Sequence, residues 1–269
     1  MHGFEQAVLP LSFKESRRRV EGTAALLAAI GMPRVVLVHC AGGTDGVRPD
    51  LARTELAGRK EIFEAVGLEV ATEVLGGGGV ANMVCNLVTA DGQGLLCLVW
   101  REKSWLKRTL LGGPDTDMLR LCRKPILISK QDSDISESSL QRVLHATDFE
   151  SVDKRAPPSL GAASAKAAEL ILLHVRERAP DPATNRSRHA AAEAHLVELA
   201  RIYGKSNLAV RAEVAEGSVI RAILNSAYRH NADLIVVGRK RAAGSKGFLR
   251  GTVAEILPYR THRSILIIP

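Results

Sequence analysis

The sequence predicts two doubly wound α/β domains in tandem, each an open parallel sheet of five strands covered by helices on both faces. The chain repeats itself. The segment 34–40, RVVLVHC, returns inside AELILLHV at 168–175, and its histidine recurs 135 residues later, His39 as His174. TLLGGPDTDMLRLCRKPILISK at 109–130 returns as FLRGTVAEILPYRTHRSILIIP at 248–269, an offset of 139. Solenoid repeats have periods of roughly 20–50 residues, so an offset this long marks a duplicated domain. Short apolar runs alternate with helical patterns, which forces parallel strands joined by right-handed crossovers. Composition agrees: 46% of residues are hydrophobic but only 4% aromatic, so the core is Val, Ile, Leu and Ala. Strands buried on both faces have that composition.

In the second copy, 142–146 is a short buried strand and 162–167 a weak helical segment, with Pro157 and Pro158 breaking any helix begun before it. The run 168–175 is too short for a helix and reads as a strand. An amphipathic helix is predicted over 185–203, with Ala191, His195, Leu199 and Ile202 on one stripe and Gly204 as its stop. A strand follows at 208–214, then a helix over 218–230 that turns Ile220, Ile223, Leu224 and Ala227 to the sheet. A strand at 233–237, a helix over 252–259 and a last strand, Ser264–Ile268, complete the copy. In the first copy the corresponding strands include 6–11, 34–40, 95–100 and 125–129. The polar, serine-rich stretch 131–141 is the predicted linker, leaving domains at 1–130 and 142–269.

The chain of 269 residues is long enough for two cores. Its net charge of +8 admits anionic partners or a solvated basic surface. No aromatic and basic platform accompanies that charge, which argues against nucleic acid. Cys40, Cys85, Cys97 and Cys122 all lie in the first half without a CxxC pair, so buried free thiols are expected rather than a metal site. No apolar run approaches the roughly 18 residues that cross a bilayer. The opening MHGFEQAVLPLSFKES has no basic stretch followed by an apolar block, and a cytoplasmic location is the expectation.

Ligands of open parallel sheets sit beyond the carboxyl ends of the strands, where the strand order reverses beside the first strand. In the second copy, Thr147-Asp148, Val175 and the loop from Gly238 end near that edge. Gly238-Arg239-Lys240-Arg241, then Gly251-Thr252 opening a helix, is the most specific local signal. Glycine lets a backbone approach a ligand, and helix N-terminal amides favour phosphate. Thr252 can cap that helix and still offer a hydroxyl, and Lys240, Arg241, Lys246 and Arg250 supply positive charge. The same residues also fit an ordinary turn, cap and solvated loop.

HATDFE, AELILLHV, VAEGSVIRAIL, NADLIVVG and GTVAEIL, in this order, resemble the universal stress protein family in its tandem form. The resemblance implies a flavodoxin-like, HUP-type fold in each copy and, in the second, a site for ATP with Mg²⁺ at its phosphates. It matches Asp148, beside Thr147, to the family's adenosine-contacting Asp. Val175 matches the residue whose backbone meets the adenine edge. Gly238 matches the first glycine of the family's Gly-x2-Gly-x9-Gly-Ser/Thr loop, and Gly251 with Thr252 its closing pair, followed by Val253. Arg241 stands where the family has its second glycine. Its side chain either fills the room a phosphate needs or offers its guanidinium fork to that phosphate.

The first copy has lost these residues. PLSF at 10–13 stands where ATDF stands in the second, so Ser12 replaces the aspartate, and 100–103 reads Trp-Arg-Glu-Lys with no glycine. Gly112-Gly113 survives, but Pro114 follows. The four glycines at 76–79 align with the turn at Glu216-Gly217 and read as a turn. His39 and His174 have no partner at metal-ligand spacing, and no nucleophile motif appears, so catalysis is not expected. The reading is a nucleotide-responsive binding module in which occupancy orders the 238–251 loop and a protein partner senses it. The alternative is a scaffold of the same fold that binds no nucleotide and acts through protein contacts. Pairing through the last strand is a further implication, met within one chain as a pseudo-dimer of 125–129 and 264–268, or between chains as a homodimer.

Overall fold

Parallel strands buried on both faces organise each half of the chain. The computed structural model describes residues 4–41, 47–90, 94–100, 113–130, 140–149, 161, 164, 166–177, 181–204, 208–239 and 252–269. These fall into two compact units, one within 4–130 and one within 140–269.

The first unit runs β1 (Gln6–Pro10), α1 (Arg17–Ala29), β2 (Arg34–Ala41), α2 (Pro49–Glu64), β3 (Glu69–Gly76), α3 (Val80–Ala90), β4 (Gly94–Val99), α4 (Pro114–Leu121) and β5 (Ile126–Ser129). Its strands lie in the order β3-β2-β1-β4-β5, all parallel. β4 and β5 are buried along their whole length. Ser16 caps α1 by accepting from the Arg19 amide. The four cysteines are buried and form no disulfide, and desolvation pushes the Cys97 thiol far above its usual range.

The second unit repeats the plan: β6 (Arg142–Thr147), β7 (Glu169–Arg176), α5 (Pro182–Tyr203), β8 (Ala209–Glu216), α6 (Val219–Arg229), β9 (Leu234–Gly238), α7 (Val253–Ile256) and β10 (Ser264–Ile268). The order β10-β9-β6-β7-β8 is the first unit's order counted within its own copy. All its strand pairs are parallel. The predicted helix over 162–167 falls largely outside the described residues.

Two helices differ from expectation. α5 starts three residues early because Asp181 accepts from the Thr184 amide at 2.8 Å and Pro182 supplies a ready-made first-turn φ. The Thr184 hydrogen bond also lowers the Asp181 pKa. Its buried stripe is Ala192, Leu196 and Tyr203, one position on from the predicted one, and Ile202 is exposed. Both stripes have helical spacing. The observed one buries Tyr203 and leaves His195 at the surface. The helix predicted over 252–259 is a single α-turn followed by a 3-10 turn, Leu257–Tyr259. Pro258 has no amide to continue the α-helical ladder.

Between β8 and α6, Glu213 accepts from Ser226 Oγ at 2.7 Å and His230 Nε2 at 3.1 Å, and pairs with Arg229. Burial works to raise its pKa, but hydrogen bonds from Ser226, Arg229 and His230 outweigh burial and hold it below the ordinary value. A lowered folded pKa stabilises the native state above the unfolded value, and that stability is lost as pH falls through the folded value. Glu213→Gln is therefore expected to cost about 1–3 kcal/mol at pH 7, the scale of hydrogen bonds to a charged group, and less toward pH 4. Denaturant unfolding at both pH values checks this. An equal cost at both would overturn it.

Candidate functional site at the carboxyl edge of the second unit

The strand order reverses beside β6, whose neighbours are β7 and β9. Thr147 ends β6 opposite His174, and the ladder holds Ala146 opposite Val237. The ends of three adjacent strands thus bring together Thr147-Asp148, His174-Val175 and Gly238. Asp148, Val175 and Gly238 are each half-buried at this edge. α7 packs on β9 with Thr252 at its N-cap and Val253 as its first helical residue. Arg241 and Gly251 lie outside the described residues.

Thr252 departs from expectation. Its backbone has N-cap dihedrals, φ −73° and ψ 156°, but its side chain makes no capping bond. Its hydroxyl oxygen is buried and has no hydrogen-bond partner. A buried polar atom left unpaired costs about 1–3 kcal/mol, so such atoms call for an explanation. The single turn of α7 also shrinks the helix-dipole contribution to anion binding.

The turn after β6 is tightly specified. Phe149 adopts φ 61°, a left-handed conformation that costs a non-glycine residue about 1–3 kcal/mol. Its amide donates to Thr147 Oγ1 at 3.0 Å. Its ring stacks on His174 at 4.1 Å between centroids and 21° between planes, and lies 5.0 Å from the His195 ring. His174 Nδ1 lies 3.0 Å from the Thr147 carbonyl oxygen. Beside it, the buried Arg176 donates to Asn185 Oδ1 on α5 at 2.7 Å and pairs with Glu216 at the end of β8. The equivalent register pair in the first unit is Ala41 and Gly76, so that tie belongs to the second copy alone.

The first unit keeps the turn but not the chemistry. Phe13 has φ 63° and stacks on His39 at 4.4 Å and 18°, and His39 Nδ1 lies 2.9 Å from the Leu11 carbonyl. Ser12 stands where Asp148 stands, and both its amide and hydroxyl donate to the buried Glu15 carboxylate, at 3.2 and 2.6 Å. Val99 faces Ser129 at the end of β4 as Gly238 faces Ile268 at the end of β9, so a valine holds the glycine's place and Trp100 matches Arg239. Trp100 is only 3% exposed, its carbonyl accepts from Arg19, and Lys130 Nζ sits 5.7 Å over its ring. The first unit thus ends this strand in a buried valine rather than a glycine.

The sequence pattern points to Asp148 and Val175 but not to the Phe149 turn, the His174 stack or the Arg176 tie. Phe149 was visible as a phenylalanine shared by PLSF and ATDF. The Arg176–Glu216 pair spans 40 residues and left no local signal. Among the described residues, no three His, Cys, Asp or Glu side chains form a metal-binding group. Nor is any described helix long and apolar enough to cross a membrane.

The second unit is a doubly wound parallel α/β domain whose switch-point edge carries a carboxylate and a glycine. The sequence model of the Universal stress protein family matches residues 139–269, and the second half of the chain is a domain of that family. No curated protein sequence matches the chain. Among solved structures, a universal stress protein from Archaeoglobus fulgidus DSM 4304 is 20% identical, with a TM-score of 0.75 over 99% of this chain and 97% of that one. A functionally unknown protein from Pseudomonas aeruginosa PAO1 is 19% identical, with a TM-score of 0.70 over 98% and 92%. The cytoplasmic domain of a prokaryotic cation chloride cotransporter is 16% identical, with a TM-score of 0.59 over 98% and 95%. At these identities the likeness is one of fold, and it runs through both halves of the chain.

Proposed function

We propose that the chain is a cytoplasmic tandem universal stress protein whose second domain, 142–269, binds ATP while the first, 1–130, serves as a nucleotide-free scaffold across the 131–141 linker. The observation that carries this reading is the buried, unpartnered Thr252 hydroxyl beside the strand ends that hold Asp148, Val175 and Gly238. Asp148 would take the adenosine hydroxyls, the Val175 backbone the adenine edge, and Gly238, Gly251, Thr252 and Val253 the phosphates. Mg²⁺ would neutralise phosphate charge. Occupancy rather than turnover is the proposed output, sensed by a protein partner as a stress response.

Mild denaturation of purified protein followed by mass spectrometry tests the reading. Adenine nucleotide is expected at close to one per chain, and calorimetry of stripped protein should give one ATP site. Two sites per chain would overturn the scaffold assignment of the first domain, and none would overturn the nucleotide reading.

Arg241 favours the alternative of a scaffold that binds no nucleotide, because it stands where the family's loop has a glycine. Blockage predicts that Arg241→Gly raises ATP affinity. A phosphate-gripping arginine predicts lower affinity and a flatter salt dependence, since a charge-assisted contact is removed. ATP titrations at two salt concentrations decide between them, and the rise is the expected result.

A further inference from the structure

We propose that His174 is the positioning residue of the second-domain site, holding the Asp148 turn from both sides through the Thr147 carbonyl and the Phe149 ring. The inference rests on the nucleotide reading above. A carbonyl oxygen only accepts, so His174 Nδ1 carries the proton and donates to Thr147 at 3.0 Å. The opposite end of the turn is Phe149, whose ring lies flat on the same imidazole at 4.1 Å. Asp148 is the single residue between the two fixed points. One side chain from the neighbouring strand therefore braces both flanks of Asp148.

The left-handed φ of Phe149 strengthens the argument. A phenylalanine does not adopt φ 61° unless surrounding contacts hold it there, and strained residues of this kind collect at ligand-contacting turns. The stack on His174, the bond to Thr147 Oγ1 and the His195 ring beside it hold it there. The first unit repeats the geometry at Leu11, Phe13 and His39, with Ser12 as the residue held. There the same clamp presents no carboxylate. The molecule thus contains a partial control: the same carbonyl bond and ring stack, without the Thr147 Oγ1 bond or the His195 ring, and with a serine in place of Asp148.

The test uses the full chain and three variants. His174→Phe keeps a stacking ring but removes the donor, and His174→Asn restores an amide donor near Nδ1. His39→Phe makes the first change in the first unit. ATP affinity is measured by calorimetry, and exchange of the Phe149 amide by hydrogen–deuterium methods. His174→Phe is expected to weaken ATP about tenfold, the scale of one lost hydrogen bond, and to speed that exchange. His174→Asn should recover most of the affinity, and His39→Phe should leave it unchanged.

If His174→Phe binds ATP like the parent while Asp148→Ala does not, the positioning role fails and the nucleotide reading stands. Equal losses from His39→Phe and His174→Phe would show a general folding effect and overturn the proposal. If the parent itself binds no ATP, the nucleotide reading falls and takes the positioning role with it.

Discussion

Asp148→Ala is expected to weaken ATP binding by about 10- to 100-fold, which is the 1–3 kcal/mol of a hydrogen bond to a charged group. The melting temperature should stay close to the parent's. Asp148 follows the last residue of β6 and is half-buried at the edge, so its loss empties no core space. The turn around it is held by Thr147, Phe149 and His174, none of which the substitution touches. Calorimetry paired with thermal unfolding measures both quantities. Undiminished affinity would mean that the nucleotide site lies elsewhere.

Phe63→Ala carries the largest expected stability cost, about 3–5 kcal/mol, because removing a buried aromatic loses transfer free energy and leaves a cavity. Phe63 is fully buried at the end of α2, among the largest such side chains in the chain. The loss should appear in the first unit alone. Hydrogen exchange should report faster opening of β1 to β5 and unchanged protection in β6 to β10, with ATP affinity retained. A cost under about 1 kcal/mol would mean that the first-unit core relaxes around the gap, contrary to its close packing.

The duplicated α/β plan was legible because central parallel strands are continuous apolar runs, and RVVLVHC and LILLHV announce themselves without reference to their neighbours. Asp148, Val175, Gly238 and Thr252 could be named for the same local reason, since each sits at a strand or helix end. Features built by distant residues were not legible. The stack of Phe149 on His174 joins positions 25 apart, and a left-handed phenylalanine contradicts every local preference. Arg176 meets Glu216 only because β7 and β8 pair in parallel register. In α5 two stripes one residue apart were both helical in spacing, and only tertiary packing chose Ala192, Leu196 and Tyr203. Pro258 was readable and its effect on α7 was missed.

The placement of the four cysteines has a use of its own. All are buried in the first unit, and the second unit contains none. A thiol held away from solvent reacts only when its surroundings open, so alkylation kinetics follow the breathing of one half of the molecule. Thiol reagents thus report on the first unit and are silent in the second. Native-state alkylation can therefore time the opening of the first unit while an ATP titration probes the second, with no reporter introduced into either.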